Sequence, residues 1–446
     1  MIKHLSQTAL TLFLAVLFGS AASQESWPNV YANDLSERLF AQGRAALIDD
    51  RPVEAERLLE EAIQVIKVNH GLHSTRQIPV LELLINSQLA LDNWSRADEY
   101  IDYFEWLNSR NYQHNRNDIE AFLEGSLALS NLLLTASADP DNPRPVRFLV
   151  LSKNLDWRAV TAIESNLGAA SPELIPWLYR IALNHYYQTT LIRRRFLTNY
   201  TYKTDDDELI SGWTMPRRES MDISYRIGRE LIERLAAIAV HNADSDPTVI
   251  AMGCLHQADW DWLFGRQKEA IRSYQQAYAK LLSAGVSAAG LNAFFTQATV
   301  LPVTDLRLRW DESNIPDPAT PLKVRAFSPL YPGVQLPAGQ KPEPESREQA
   351  KRVLVRFDLV AARLNGASAA PGKKPEAAAR LHNLSLVHAD PQQQFSVDEI
   401  EQEISLLHFR PGLRDGRPVE LADVIMEYTL ASESTLSTQS NRSAQP

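Results

Sequence analysis

The chain has 446 residues, 44% of them hydrophobic and 22% charged, which is enough for two or three domains and a substantial core. A formal net charge of −10 excludes the basic surface with which proteins neutralise phosphate, so nucleic acid is not expected as a partner. The single cysteine, Cys254, excludes an intramolecular disulfide and, in an apolar-spaced run, reads as a buried and inert thiol.

Residues 1–23 have the layout of an export signal. Lys3 charges the n-region, Ala9 to Phe18 is apolar apart from Thr11, and Ser20-Ala21-Ala22-Ser23 offers small residues for cleavage near Gln24. The apolar run is shorter than the ~20 residues of a comfortable membrane span. The competing reading is an uncleaved anchor or a buried helix. Cleavage implies a periplasmic chain, and no later segment reads as long and apolar enough to cross a membrane, so no transmembrane segment is expected in the mature chain. No cysteine follows the run, which argues against a lipoprotein anchor.

Residues 33–299 are expected to form an array of helical hairpins. Leu39, Gly43, Ala46, Ala55, Leu59 and Ala62 supply small and apolar contacts for one helix pair, with Asp50-Arg51-Pro52 at its turn. After a break at Gly71, Leu84, Gln88, Ala97, Ile101 and Phe104 repeat the scheme around Asp92-Asn93-Trp94. The clearest unit is Ala258 to Leu282. Trp260, Leu263 and Phe264 precede the break at Gly265, and Ala270, Tyr274, Ala277 and Leu281 then share one helical face. A pair of this kind needs stacked neighbours to bury its face. Trp260 and Trp262 are expected in its core, although a ligand platform is the alternative.

These residues resemble tetratricopeptide repeats. The likeness lies at Gly43, Ala55, Leu59 and Ala62, at Ala97 and Ile101, and at Ala258, Ala270, Tyr274 and Ala277. The long interval containing HGLHS is similar to the extended variety of kinesin light chains. Leu39 and Lys67 depart from the tryptophan and proline common in the family. The resemblance covers about a third of the chain and implies a TPR-like α-solenoid that holds a protein or peptide partner in a groove.

Between Asp118 and Ala243 helical periodicity continues without repeat grammar. Breaks are expected at Pro140 to Pro145 and at Gly168 to Pro172, a polar loop over Tyr202 to Arg218, and a strongly amphipathic helix from Met221 to Ala239. Nine prolines between Pro302 and Pro344 then predict a linker over 300–350, or an extended segment lying on a neighbour.

The period changes to two at Val353 to Val360, with Val353, Val355, Phe357 and Leu359 on one strand face. Asn365-Gly366 marks a turn, Leu384 to His388 a second strand, and Ser396 with Glu399 the capped start of a helix over Val397 to Leu407. Arg414-Asp415-Gly416 is a tight turn and Val419 to Leu430 a final strand. The tail 432–446 has the composition of disorder. Phe409, Pro411, Gly416, Pro418 and Val419, in this strand-strand-helix-strand order, resemble the C-terminal domain of the TonB energy transducer. That likeness implies a small α+β module over 351–431 that pairs an exposed strand edge with a partner. The insertion after Val360 and the missing spacer depart from the family.

No nucleotide loop, nucleophile elbow or HExxH motif is present, so no catalytic, cofactor-binding or metal-binding residue is expected. His70 and His73 lack a third ligand, and Asp205 to Glu208 lack the glycine of a calcium loop. Arg193, Arg194 and Arg195, together with Tyr186 and Tyr187, are the candidate partner-binding residues. The arginines suit an acidic partner but equally a helix C-terminus or a solvated face. The expectation is an exported, non-enzymatic interaction scaffold of the cell envelope. The alternatives are a TonB-like transducer touching outer-membrane receptors, and an envelope-glycan binder or enzyme hidden around Tyr186 to Trp213.

Overall fold

The computed structural model describes residues 31–32, 34–114, 119–139, 142, 144–197, 217–243, 246–315, 320–325, 352–360, 380–389 and 397–429. The expected export signal, the acidic run at Asp205, the Asn365-Gly366 turn, the Ser396 cap and the C-terminal tail lie outside them. The chain divides into two compact units, one ending at Asn111 and the other beginning at Tyr112.

The first unit is built from helices. They are α1 (Leu35–Ile48), α2 (Pro52–His70), a 3-10 turn (Thr75–Gln77), α3 (Ile78–Ala90) and α4 (Trp94–His114). The α1–α2 and α3–α4 junctions use one chemistry. Asp50 and Asp92 take left-handed backbone, with φ of 55° and 54°. The amide of each following residue reaches back five positions, Arg51 to Ala46 and Asn93 to Gln88, while Asp50 and Asp92 bond to Leu47 and Leu89. This double closure satisfies carbonyls that a helix end leaves open, and aspartate tolerates the left-handed region better than most residues. Pro52 sits in the first turn of α2, where its missing N–H costs nothing. Five residues beyond each left-handed aspartate stands a fully buried alanine, Ala55 or Ala97. Gly43 serves the same close approach, since a Cβ there would meet the Leu59 side chain at 2.7 Å.

The second unit opens with α5 (Ile119–Ser137), α6 (Pro145–Leu167), α7 (Leu174–Leu197), α8 (Arg217–His241), α9 (Pro247–Leu263), α10 (Gln267–Ser283) and α11 (Ala288–Phe295). Helices that follow one another in sequence pack on one another. The α9–α10 turn repeats the closure of the first unit: Gly265 has φ 75°, Arg266 bonds to Asp261, and Ala270 follows five residues on. Trp260, Trp262, Tyr274 and Ala277 are buried in its core. Gly228 of α8 is required for close approach, because any Cβ would overlap the Trp260 indole. The α5 helix is the exception to the expectation that no later segment suits a membrane. It has 19 residues at mean hydropathy 1.2, with half of the apolar window buried. It is also tied into the helical core, where the Ser130 hydroxyl donates to Asp156 of α6 at 2.8 Å.

The sheet region follows. Strands β2 (Leu322–Arg325), β3 (Arg352–Val360), β4 (Arg380–Ala389) and β8 (Leu421–Thr429) form one sheet in the order β2-β8-β3-β4. β2 runs parallel to β8, and the other pairs are antiparallel. Helix α12 (Val397–Ser405) covers one face, where Ile400 and Ile404 meet Val353, Val355, Phe357 and Leu359. The period-two pattern of β3 therefore faces the core as expected. Short strands β1 (Val300–Leu301) and β5 (His408–Phe409) pair with each other. β6 (Gly412–Arg414) and β7 (Arg417–Val419) form a hairpin whose turn residues, Asp415 and Gly416, have φ of 51° and 71°. Two positive φ values are what a two-residue hairpin matching strand twist requires.

Of the residues expected as a linker or an extended segment lying on a neighbour, 300–315 and 320–325 are described. β1 and β2 take part in strand pairing, and residues 302–311 lie on the helices of the same unit.

Candidate binding surfaces

The surface of the first unit is most distinctive where the Gly71 loop meets α4. The Tyr103 and Trp106 rings stack with centroids 5.7 Å apart and planes 18° from parallel. His73 tilts against Trp106 at 5.4 Å. The Lys67 ammonium lies 4.8 Å from the Tyr103 ring centre, and the Arg110 guanidinium 5.6 Å from that of Trp106. Cations at this range are attracted by the ring quadrupole. Burial lowers the Lys67 pKa and raises that of Tyr103. Tyr103 is anchored by donating to Gln77 Oε1 at 2.7 Å. Trp106 remains 44% exposed, and Val68 near the end of α2 and Leu72 in the loop that follows are exposed as well. Rigid aromatic rings, aliphatic side chains and two cations thus share one outer surface, a composition enriched at the centres of protein interfaces.

Elsewhere on the same helices a polar lock joins α2 to α4. Glu60 accepts from Tyr100 Oη at 2.7 Å and from Arg96 at 2.9 Å. The hydrogen bond from Tyr100, then the nearby Arg96, holds the Glu60 carboxyl below its ordinary value against the opposing effect of burial.

The predicted partner-binding residues fall otherwise. Tyr186 and Tyr187 are each 2% exposed and belong to the core of the second unit, so their rings form no outer surface. Every residue from Ile181 to Thr190 of α7 is buried, which places this helix inside the array. Arg193, Arg194 and Arg195 follow on the last turns of α7, and their side chains lie outside the described residues. Sequence reasoning missed Trp106 and Tyr103; their spacing of three, with Arg110 four residues later on the same helix face, was the available signal.

The second unit concentrates its buried charge around Asp259. Arg410 donates to both carboxylate oxygens, at 2.8 and 2.5 Å, and Tyr274 Oη donates at 2.8 Å. His256 Nδ1 lies 3.7 Å away. Burial alone would raise the Asp259 pKa; the Arg410 charge and the contacts of His256 and Arg410 outweigh it and hold the group at about 2. Two hydrogen bonds thus reach Asp259 Oδ1 and one reaches Oδ2, all from buried side chains of the same unit. Burial also raises the half-buried Cys254 thiol, away from reactive thiolate character.

At the sheet, β4 is an end strand with exposed Leu386 and Val387. Its pairing with β3 shifts register between Leu354 and Val355 and again between Arg356 and Asp358. Asn383, at φ 55°, sits in the second irregularity and donates to Asp358 at 2.7 Å. Such bulges blunt an edge against strand addition. Among the described residues no group of three or more His, Cys, Asp or Glu is placed to hold a metal ion. His70 and His73 turn to different neighbours, Arg76 and Trp106.

No family model matches the chain, and comparison with curated proteins gives no match. Among solved structures, the similarity is to TPR-like repeat proteins: a Podosopora anserina protein described as a kinesin light chain with nearly identical TPR-like repeats, and a point variant of it. Each is 13% identical with a TM-score of 0.33, covering 57–58% of this chain and 100% of theirs.

Proposed function

We propose that this protein is a non-enzymatic interaction scaffold whose main partner-contacting surface is the aromatic–cationic cluster of Lys67, Leu72, His73, Tyr103, Trp106 and Arg110. The observation that carries the reading is the half-exposed, stacked Trp106 held rigid between Tyr103, His73 and Arg110. A solvent-facing tryptophan held by three neighbours gains little in folding and is already ordered for binding, which lowers the entropic cost of association. The partner class is protein or peptide. The exported, periplasmic location expected from residues 1–23 belongs to the same reading.

The C-terminal sheet is a secondary contact. Its resemblance to the TonB transducer module suggests strand pairing, but the bulges of β4 confine regular pairing to short stretches. The weight of the proposal therefore falls on the N-terminal unit. The test is crosslinking followed by purification of the full chain from its native cells, in the wild type and in a Tyr103→Ala, Trp106→Ala variant. The expected result is a stoichiometric partner recovered with the wild type and lost with the variant. Equal recovery with both would refute the assignment.

A further inference from the structure

Residues 302–311 form no sheet, yet they have a strand's alternation. Asp305, Arg307 and Arg309 are exposed, while Leu306, Leu308 and Trp310 turn inward against the helical core. The segment crosses four helices. Tyr179 of α7 donates to the Val303 carbonyl at 2.6 Å, and His256 Nε2–H of α9 donates to the Arg307 carbonyl at 2.7 Å. The Trp310 amide donates to Thr248 Oγ1 at 3.3 Å, and Arg309 to the Asn242 carbonyl at 3.2 Å. Leu308 packs against Ala239, Ala243 and Val249, and the Trp310 ring meets the edge of Phe294 at 5.1 Å.

This arrangement has the parts of peptide recognition: an extended segment, side-chain anchors at every second residue, and helix-borne donors that grip its main chain. Main-chain carbonyls are present in any sequence, so Tyr179 and His256 read conformation while the apolar pockets read pattern. We propose that the groove across α7, α8, α9 and α11 is a peptide-binding site that the chain occupies in cis with residues 302–310, and that it opens to an extended partner segment carrying apolar side chains at alternate positions and ending in an aromatic. Tethering at both ends gives the strap a high effective concentration, so a partner must present a better-matched sequence or several contacts. The inference stands apart from the Trp106 surface, which lies in the other unit.

The probe is a synthetic peptide of residues 300–312 with a photoreactive side chain in place of Leu308, incubated with the full-length protein and illuminated. Adducts are expected on the helices around Val249, Thr248 and Ala239, suppressed by excess unlabelled peptide. A Trp310→Ser chain, with its cis strap weakened, should raise the yield by about tenfold. Trp310→Leu keeps an apolar anchor and guards against loss of fold; its yield should fall between the two. Absence of adducts with the folded chains, adducts elsewhere, or one yield for all three would overturn the proposal.

Discussion

Arg410 and Asp259 lie 151 residues apart and meet as a buried, two-pronged ion pair. Arg410 leaves β5 at the edge of the sheet region, and Asp259 sits on α9 among the helices of the same unit. Tyr274 from α10 and Phe294 from α11 complete the surround, the latter with its ring centre 5.6 Å from the guanidinium. Nearby, Asn292 of α11 donates to the Asp415 carboxylate at 2.9 Å and Gln275 of α10 to the Gly416 carbonyl at 3.1 Å, which seats the β6–β7 hairpin. The sheet region is thereby built onto the last helices and does not hang from them by a tether.

Removing one partner of a buried pair leaves an uncompensated charge. Arg410→Met is therefore expected to cost about 3–5 kcal/mol, and Asp259→Leu a similar amount. The double variant should lose much less than the sum. Urea denaturation of the four chains checks this, and additive losses would contradict the pairing.

The same pair sets an acid limit. The folded pKa of Asp259, about 2, is below its ordinary value of 3.8, so its contribution is complete above pH 4 and fades as the pH falls toward 2. An Asp259→Asn chain should lack this part of the acid transition, roughly 2 kcal/mol of it. Denaturant titrations between pH 5 and 2 make the comparison.

His185 works in a milder range. Burial, then the charge of Lys153, lowers its folded pKa from 6.5 to about 4. Between those values the unfolded chain holds the extra proton, so stability falls as the pH drops from 7 to 5, by roughly 2 kcal/mol. His185→Gln should flatten the dependence. An unchanged slope in the variant would show that other groups carry it.

Gly228→Ala tests helix approach. Alanine is worth about 1 kcal/mol more than glycine in a free helix, but here its Cβ meets the Trp260 indole, whose Nε1–H is fixed to the Tyr225 carbonyl at 2.9 Å. A net loss of about 1–3 kcal/mol is expected by thermal or urea unfolding. A gain would mean that the two helices separate readily.

Much of the fold is legible in residues with a backbone job. Asp50, Asp92 and Gly265 announce their turns, and an alanine five residues later announces the returning helix. The period-two run from Val353 and the Asp415-Gly416 turn are equally plain. Other features are hidden for physical reasons. Residues 181–190 of α7 are all buried, so Tyr186 and Tyr187 sit on no apolar stripe that would contrast with a polar one. The alternation of Leu306, Leu308 and Trp310 was present in the sequence, but the surrounding prolines suit a linker as well as an extended segment lying on a neighbour. The pairing of Arg410 with Asp259 has no local trace at all, because tertiary packing alone brings them together. At the candidate surface, Trp106 is hard to single out because it shares α4 with Tyr100, Tyr103 and Phe104, and aromatics on an amphipathic helix read equally as core.

Export is checked by the mass of the mature protein. A chain beginning near Gln24 is expected, while one retaining Met1 would favour an anchor and reopen the transducer alternative.

The most direct test of the scaffold reading places a photo-crosslinking residue at Trp106 and, in a separate chain, at the partly exposed control position Glu56 of α2. Illumination of intact cells should give one discrete protein adduct from position 106 and none of that mass from position 56. No adduct at 106, or the same adducts from both positions, would contradict the assignment of this surface to a partner.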